Sequence, residues 1–192
     1  GPSLRISVLD RLHNEITLAS NKIYLAFDET SWRPTCYSVT DVLVAQNNRE
    51  QIAALELEKF FGDSVRREFP KSRDIAWVHE FGSADANSSE TFSYDLVDGA
   101  WGGYSVIYIQ LQIAFYMGIR EIYLIGVDFS FDVPQPTGET SIHGAVLESS
   151  GEVNHFHPDY RKTGEKWTMP QLDGQRRAFT YAKAAFEEAG GT

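Results

Sequence analysis

Residues 102–128 have the sequence GGYSVIYIQLQIAFYMGIREIYLIGVD, which decides the class of fold. Small residues open this stretch, apolar residues that predict a helix follow, and Gly118 is of a type that commonly ends a helix. The apolar run after Gly118 predicts a short buried strand that leads to Asp128. Helices and buried strands in succession are typical of a parallel α/β sheet, and ligands bind where its strands end. We therefore expect Asp128 to lie at a ligand-binding edge.

The rest of the chain continues this alternation of strands and helices. Short β-rich segments are predicted at residues 15–19, 36–40 and 75–78. Further helices are predicted at 48–61 and 171–189, and polar loops at 83–99 and 134–155. The pattern predicts an α/β protein, a three-layer sandwich with a mainly parallel sheet, in a single domain spanning residues 1–192.

Composition and charge exclude several classes of protein. The chain has 27 acidic and 17 basic residues and a net charge of −10, which argues against a nucleic-acid-binding surface. An anionic small ligand stays possible, because a helix N-terminus can hold a phosphate locally. Cys36 is the single cysteine, so neither a disulfide framework nor a thiolate metal cluster is expected. Without a signal peptide or an apolar run of membrane-spanning length, the sequence predicts a cytoplasmic protein with no transmembrane segment.

Two histidines in the segment 154–160, NHFHPDY, are candidates for chemistry. Imidazole titrates near neutral pH, so His155 or His157 could act as a general base. The same side chains could bind a metal ion with Asp159 or Asp128, or they could simply hydrogen-bond the loop backbone. The sequence contains no complete GxGxxG or GxxxxGK[ST] motif, which argues against a dinucleotide oxidoreductase and a P-loop enzyme.

Two aspartates and one serine occupy positions where a ligand could bind. Asp41 follows a predicted strand, as Asp128 does, and this equivalence favours a shared cleft. Each aspartate could instead cap the helix or loop that follows it. Ser105 stands at the predicted start of the long helix, where free backbone N–H groups attract anions, although an ordinary helix cap explains it as well.

Five segments of the chain, in this order, resemble a bacterial family. They are GPSL at 1–4, ASNKIY at 19–24, RPTCYSVTD at 33–41, EIYLIGVD at 121–128 and NHFHPDY at 154–160. The set resembles the 6-hydroxymethylpterin diphosphokinase-like family, formerly a domain of unknown function. That family is similar to the motility-associated flagellin glycosyltransferases and, more distantly, to the family 42 sialyltransferases.

The resemblance implies a Rossmann-like nucleotide-binding domain, one that lacks its first and last strands in this chain. In the sialyltransferases a Gly-Asn-Gly-Pro-Ser loop, an asparagine and hydroxylated residues opening the long helix hold the cytidine monophosphate donor. The matching positions for donor binding are Gly1, Pro2, Ser3, Asn21 and Ser105, with Asp41 and Asp128 lining the cleft. The matching catalytic positions are His157 or His155 as general base and Tyr160 as a contact to the leaving group or acceptor.

The function implied is that of a sialyltransferase-like glycosyltransferase in surface-polysaccharide or glycoconjugate biosynthesis. Its substrates would be a nucleotide-activated sugar, with a CMP-linked donor favoured, and a glycan acceptor, and it would need no metal cofactor. The resemblance also suggests a homo-oligomer at the periphery of the inner membrane. The chain departs from the sialyltransferases in two places. It has GAW at 99–101 where they have an arginine, and Phe129 and Phe131 where they have tyrosines.

Two alternatives remain open. The first is a 6-hydroxymethylpterin diphosphokinase, which would need Mg²⁺ held by carboxylates such as Asp41 and Asp128. The second is a nucleotide-binding module without catalytic activity. Dependence on a divalent metal would separate the diphosphokinase from the glycosyltransferase.

Overall fold

The main sheet is parallel, as the sequence predicts. The structure, a computed structural model, describes residues 1–70, 72–83 and 91–192. Four neighbouring strands of this part follow the order of the chain. They are β1 (Leu18–Ser20), β2 (Cys36–Val39), β3 (Glu58–Gly62) and β4 (Ile75–Val78). Every residue of β2 is buried, because a strand inside a parallel sheet is covered on both faces.

Two smaller sheets accompany the main one. Strands β5 (Glu80–Ser83) and β6 (Ala100–Gly102) pair in parallel with each other. An antiparallel sheet contains β7 (Pro136–Ser141), β8 (Gly144–Glu148) and β9 (Lys166–Thr168).

Helices pack on the sheets, which makes the protein α/β. The α-helices are α1 (Ile6–Leu9), α2 (Val42–Asn47), α3 (Arg49–Ala53), α4 (Val106–Tyr116) and α5 (Leu172–Glu188). Short 3₁₀ segments cover Asp10–Leu12, Asn21–Ala26, Asp63–Glu68 and Pro158–Tyr160. In the described part of the chain, no helix has the length and apolar character needed to cross a bilayer.

Helix α4 is buried on nearly all sides, and its two glutamines are satisfied internally. The Gln112 side chain accepts from the N–H groups of Ser93 (2.9 Å) and Trp101 (3.0 Å) and donates to the Trp101 carbonyl (2.8 Å). Gln110 donates to the carbonyl of Ala19 in β1 at 2.7 Å. The side chains of Gln110 and Gln112 thus connect α4 to β1 and to the segment that precedes the helix. They thereby fix the position of Ser105, which caps the helix by accepting from the N–H of Ile107.

Several predicted elements are confirmed and others are wrong. Strands at 36–40 and 75–78 and the helix at 171–189 occur within a residue or two of their predicted bounds. The helix predicted at 48–61 is wrong in its second half, because α3 ends at Ala53 and β3 begins at Glu58. Alternate side chains of β3, those of Lys59 and Phe61, point into the interior. The apolar residues of this segment also recur at helical spacing, and this masked the two-residue period of the strand.

The remaining differences concern loops and the last predicted strand. The polar loop predicted at 134–155 contains the hairpin of β7 and β8, and the one predicted at 83–99 touches β5 only at its first residue. Residues 84–90 of that second loop lie outside the described residues. Residues 121–127 form no strand, but Ile122 donates to the carbonyl of Thr192 (2.9 Å) and Thr192 donates to that of Arg120 (2.8 Å).

Candidate active site

A cavity of about 1350 Å³ opens at the carboxyl ends of β1 and β2. Parallel sheets place ligand sites at this edge, because loops that follow the strands diverge there. Most of the predicted site residues line this cavity: Gly1, Asn21, Asp41, Ser105, Asp128, His155 and Tyr160. The fold therefore brings together residues that are up to 159 positions apart in the sequence.

The loop at residues 1–3 is tied to the end of the 121–128 segment. The carboxylate of Asp128 accepts from the Ser3 main-chain N–H (2.9 Å) and from the Ser3 hydroxyl. The nitrogen of Gly1 donates to the Gly126 carbonyl. Burial acts to raise the pKa of Asp128, but the two hydrogen bonds from Ser3 outweigh it and the pKa is lowered. Asp128 thus holds the predicted donor loop in place, while Pro2 and Ser3 lie outside the cavity lining.

Asp41 and Ser105 both act as helix caps. Asp41 accepts from the N–H groups of Leu43 (2.8 Å) and Val44 (3.1 Å) at the start of α2. Ser105 accepts from Ile107 at the start of α4, at 3.3 Å. Each residue still borders the cavity, so the capping and ligand-binding interpretations of the sequence are compatible in space.

The two histidines have different surroundings. Nδ1 of His157 accepts from the N–H of Asp159 (3.1 Å), and its Nε2 lies 3.9 Å from a carboxylate oxygen of Glu29. His157 therefore caps the Pro158–Tyr160 turn and does not line the cavity. His155 lines the cavity, and its ring stacks on Tyr160 with ring centres 3.7 Å apart.

Basic and aromatic side chains surround His155. The Lys22 ammonium lies 5.7 Å from the centre of the Tyr160 ring, and the Arg161 guanidinium lies 3.7 Å from the Trp167 ring. The Phe131 ring lies between the His155 and Trp167 rings, with its ring centre 6.2 Å from each of theirs. We call this group the basic–aromatic cluster; its members are Lys22, Phe131, His155, Tyr160, Arg161 and Trp167.

Two carboxylates partly neutralise the cluster. Lys22 forms a buried ion pair with Glu165 at 2.6 Å, and Arg161 lies 3.6 Å from Glu152. Burial lowers the pKa of both basic side chains, and their acidic partners oppose that shift. The Tyr160 phenol stays protonated because burial raises its pKa.

Several buried polar atoms of the cavity wall have no protein hydrogen-bond partner among the described residues. They are Oδ1 of Asn21, Nε2 of His155, Nε1 of Trp167 and Oγ1 of Thr168, whereas Nη1 of Arg161 lies 3.6 Å from Oε1 of Glu152 in an ion pair. Buried polar groups in folded proteins are nearly always paired, and an unpaired one costs about 1–3 kcal/mol. The residues that carry these atoms line one cavity, and the atoms themselves have almost no accessible surface.

The sequence did not indicate Lys22, Arg161 or Trp167 as site residues. Lys22 directly follows Asn21, and Arg161 directly follows Tyr160. Proximity to a predicted site residue was therefore the sequence signal that could have indicated these two basic residues. A backbone φ of +53° at Asn21 is unusual for a residue other than glycine, and it marks the turn at the end of β1. Within the described part of the chain, no three His, Cys, Asp or Glu residues are arranged to hold a metal ion.

Burial lowers the pKa of His155 to about 3, and the positive charges of Arg161 and Lys22 add to this shift. The folded protein therefore keeps His155 neutral at pH 5, whereas the unfolded chain takes up a proton below about pH 6.5. Stability should fall by about 2 kcal/mol between pH 7 and pH 5 from this residue alone. The variant His155→Phe keeps an aromatic ring that can stack on Tyr160. Its urea unfolding should no longer show this loss of stability between pH 7 and pH 5. An unchanged pH dependence would contradict the assignment.

Comparison of the chain with protein-family models, curated proteins and solved structures finds no match. The site itself is a cavity with basic, aromatic and neutral imidazole groups, at the carboxyl edge of a parallel α/β sheet. A neutral imidazole can accept a proton, and a guanidinium can donate hydrogen bonds to an anion.

Proposed function

We propose that the protein is a Rossmann-like glycosyltransferase that uses a nucleotide-activated sugar, with a CMP-linked donor favoured. The observation that carries the proposal is that Arg161, Trp167 and His155 line one cavity, and that the buried Nε1 of Trp167 and Nε2 of His155 have no protein hydrogen-bond partner among the described residues. A nucleotide phosphate is a suitable ligand because guanidinium and indole N–H groups donate to its oxygens. The sequence segments that resemble the transferase families border the same cavity.

In the proposed reaction, Arg161 binds the phosphate of the donor and stabilises the charge that develops as it leaves. The bond between the anomeric carbon and the phosphate oxygen breaks, and a bond from an acceptor hydroxyl to that carbon forms. The acceptor proton passes to Nε2 of His155. A bound phosphate next to Arg161 would offset its charge and raise the pKa of His155, which makes it a better base.

His155 is the proposed base in preference to His157. His155 lines the cavity and its buried Nε2 has no protein partner among the described residues, whereas both ring nitrogens of His157 face groups outside the cavity. Tyr160 supports the His155 ring by stacking, and Asn21 and Ser105 border the donor position. Asp128 keeps the Gly1–Ser3 loop in position through Ser3. Each of these proposed roles follows from the contacts that the residue makes.

A thermal-shift screen of nucleotides tests the proposal. CMP or CDP at about 100 times its Kd should raise the Tm by about 5–10 °C, since binding then adds about 2.7 kcal/mol. EDTA should leave that shift unchanged. Stabilisation by ATP only with Mg²⁺ would instead favour the diphosphokinase, and no shift with any nucleotide would contradict both assignments.

The variant His155→Phe separates catalysis from binding. It should retain the CMP-dependent shift and lose sugar transfer by a factor of about 10²–10⁴, the usual contribution of a general base. His157→Phe is the matched control, because it removes an imidazole from the same loop outside the cavity. Equal loss of transfer in both variants would mean that His155 is not the base.

A further inference from the structure

Glu152 places a buried carboxylate beside Arg161, the residue proposed to bind the donor phosphate. The Glu152 side chain is 6% exposed, and its Oε1 lies 3.6 Å from Nη1 of Arg161. Arg161 lines the cavity, whereas Glu152 does not. Glu152 therefore acts on a ligand in the cavity through its charge and not by contact.

Hydrogen bonds from two serines hold Glu152 in this position. Its Oε2 accepts from the main-chain N–H of Ser150 (2.8 Å) and from the hydroxyls of Ser149 (3.2 Å) and Ser150 (3.4 Å). Burial acts to raise the pKa of Glu152, but hydrogen bonds from main-chain N–H groups and from Ser149, together with the charge of Arg161, outweigh it and the pKa is lowered. Glu152 is therefore ionised at neutral pH, and its charge cancels that of Arg161.

Lys22, the other basic member of the basic–aromatic cluster, is neutralised as well. Its ammonium lies 2.6 Å from Glu165, and Lys22 does not line the cavity. The turns that carry Glu165 and Glu152 are joined, because Ser149 donates to the Glu165 carbonyl (3.0 Å) and Gly164 donates to the Ser149 carbonyl (2.8 Å). With these two carboxylates included, the basic–aromatic cluster has no net charge.

The rest of the cavity wall adds negative charge. Among the described residues that line the cavity, Arg161 is the one lysine or arginine. The lining carboxylates are Glu15, Asp41, Asp63, Glu80, Glu121 and Asp128. Each negative charge on a ligand loses hydration when it enters such a cavity, and with Glu152 ionised it finds no surplus positive charge in compensation. An anion with one charge therefore suits this cavity better than an anion with two.

We propose that Glu152 determines the charge specificity of the site, so that a singly charged phosphodiester binds more tightly than a doubly charged phosphomonoester. This inference rests on the proposed function. In that reaction the phosphodiester is the intact nucleotide-sugar donor, and the phosphomonoester is the nucleotide that remains after transfer. Glu152 thus favours binding of the donor over binding of the product.

The charges in the cavity stay balanced during the transfer step. When the bond between the anomeric carbon and the phosphate oxygen breaks, its electron pair stays on that oxygen, and the phosphate changes from one negative charge to two. The acceptor proton passes to Nε2 of His155, which becomes positive, so the total charge does not change. Because burial lowers the pKa of His155, the imidazolium then gives its proton to water. The doubly charged product is left in a site without surplus positive charge, which favours its release.

Calorimetric titration of the unmodified chain with two nucleotides tests this preference without any substitution. At about pH 8 the phosphate of CMP has two negative charges, whereas that of cytidine 5′-(methyl phosphate) has one. We expect the methyl ester to bind at least about threefold more tightly than CMP. CMP binding as tightly as the ester, or more tightly, would overturn the inference and leave the proposed function standing. Binding of neither nucleotide would overturn the proposed function, and the inference with it.

The variant Glu152→Gln tests whether this residue sets the preference. Glutamine is similar in size and keeps an oxygen that can accept from Ser149 and Ser150, but it leaves Arg161 with a surplus positive charge. The substitution should tighten the binding of CMP about tenfold and that of the methyl ester about threefold, because the second charge of CMP gains most from the surplus. The preference for the ester should therefore disappear.

Two further variants are the controls for Glu152→Gln. Glu152→Asp keeps the negative charge and should keep the preference for the ester. Glu148→Gln removes an exposed carboxylate from β8, outside the cavity lining, and should leave both affinities within about twofold. Circular dichroism must show that each variant is folded. An unchanged ratio of the two Kd values in Glu152→Gln, or an equal change of that ratio in Glu148→Gln, would overturn the inference.

Discussion

Gln112→Leu is expected to lower the free energy of unfolding by about 3–5 kcal/mol, although leucine is apolar and similar in size. The Gln112 amide is fully buried and bonds to Ser93 and to both main-chain groups of Trp101. Leucine leaves those three main-chain groups without partners, and each buried unpaired group costs about 1–3 kcal/mol. Urea-induced unfolding followed by circular dichroism measures the difference.

Gln110→Leu is the matched control for this prediction. Gln110 is also buried on the same helix, but among the described residues its side chain makes one hydrogen bond, to Ala19. Its loss should therefore cost roughly a third as much, about 1–2 kcal/mol. Similar losses in the two variants would show that the hydrogen bonds of Gln112 do not carry its contribution.

Arg161→Gln is expected to weaken CMP binding by about 10- to 100-fold, because a charge-assisted hydrogen bond contributes roughly 1.5–3 kcal/mol. Arg161 lines the cavity, and its guanidinium lies 3.7 Å from the centre of the Trp167 ring. The nearest carboxylate oxygen, of Glu152, lies 3.6 Å away. Isothermal titration calorimetry at constant ionic strength measures the change.

The control for Arg161 is an exposed arginine that does not line the cavity. The Arg176 side chain on α5 is 71% exposed and pairs with Asp173 at 4.0 Å, so Arg176→Gln should leave CMP affinity within about twofold. Circular dichroism must show that both variants are folded at the temperature of the titration. Equal affinities in the two variants would remove Arg161 from the site.

The sequence was informative where side-chain patterns report burial directly. The apolar run at 36–40 predicted β2, because a strand that is covered on both faces has no polar face to interrupt the run of apolar residues. Helix α5 was predicted because it has one apolar face and Gly190 follows closely. In contrast, 53–58 changes from helix to strand without a glycine or proline, so no local signal marked the boundary.

The segment at 121–127 shows the limit of local reasoning most clearly. Its apolar composition predicts a buried strand, but a strand exists only when another chain pairs with it. Here the side toward β1 is open, and among the described residues the main chain of this segment pairs at its two ends, where Arg120 and Ile122 bond to Thr192 and Gly126 accepts from Gly1. Composition indicates which secondary structure a segment favours, whereas strand pairing depends on residues that are distant in the sequence.

The site was predicted in part. Asn21, Asp41, Ser105, Asp128, His155 and Tyr160 border one cavity, because topology brings the ends of successive parallel strands to one edge. The choice between His155 and His157 needed the structure, since they are two residues apart and differ only in what surrounds them. Arg161 and Trp167 were not predicted because their stacking depends on the return of the chain through β9.

Calorimetric titration of the unmodified chain with CMP and with cytidine tests the central claim most directly. The two ligands differ only in the phosphate, which is the group that Arg161 and the basic–aromatic cluster are proposed to bind. We expect CMP to bind at least about tenfold more tightly than cytidine, and we expect Arg161→Gln to abolish that preference. Failure of CMP to bind, or equal affinity for CMP and cytidine, would contradict the assignment of this cavity as a nucleotide-donor site.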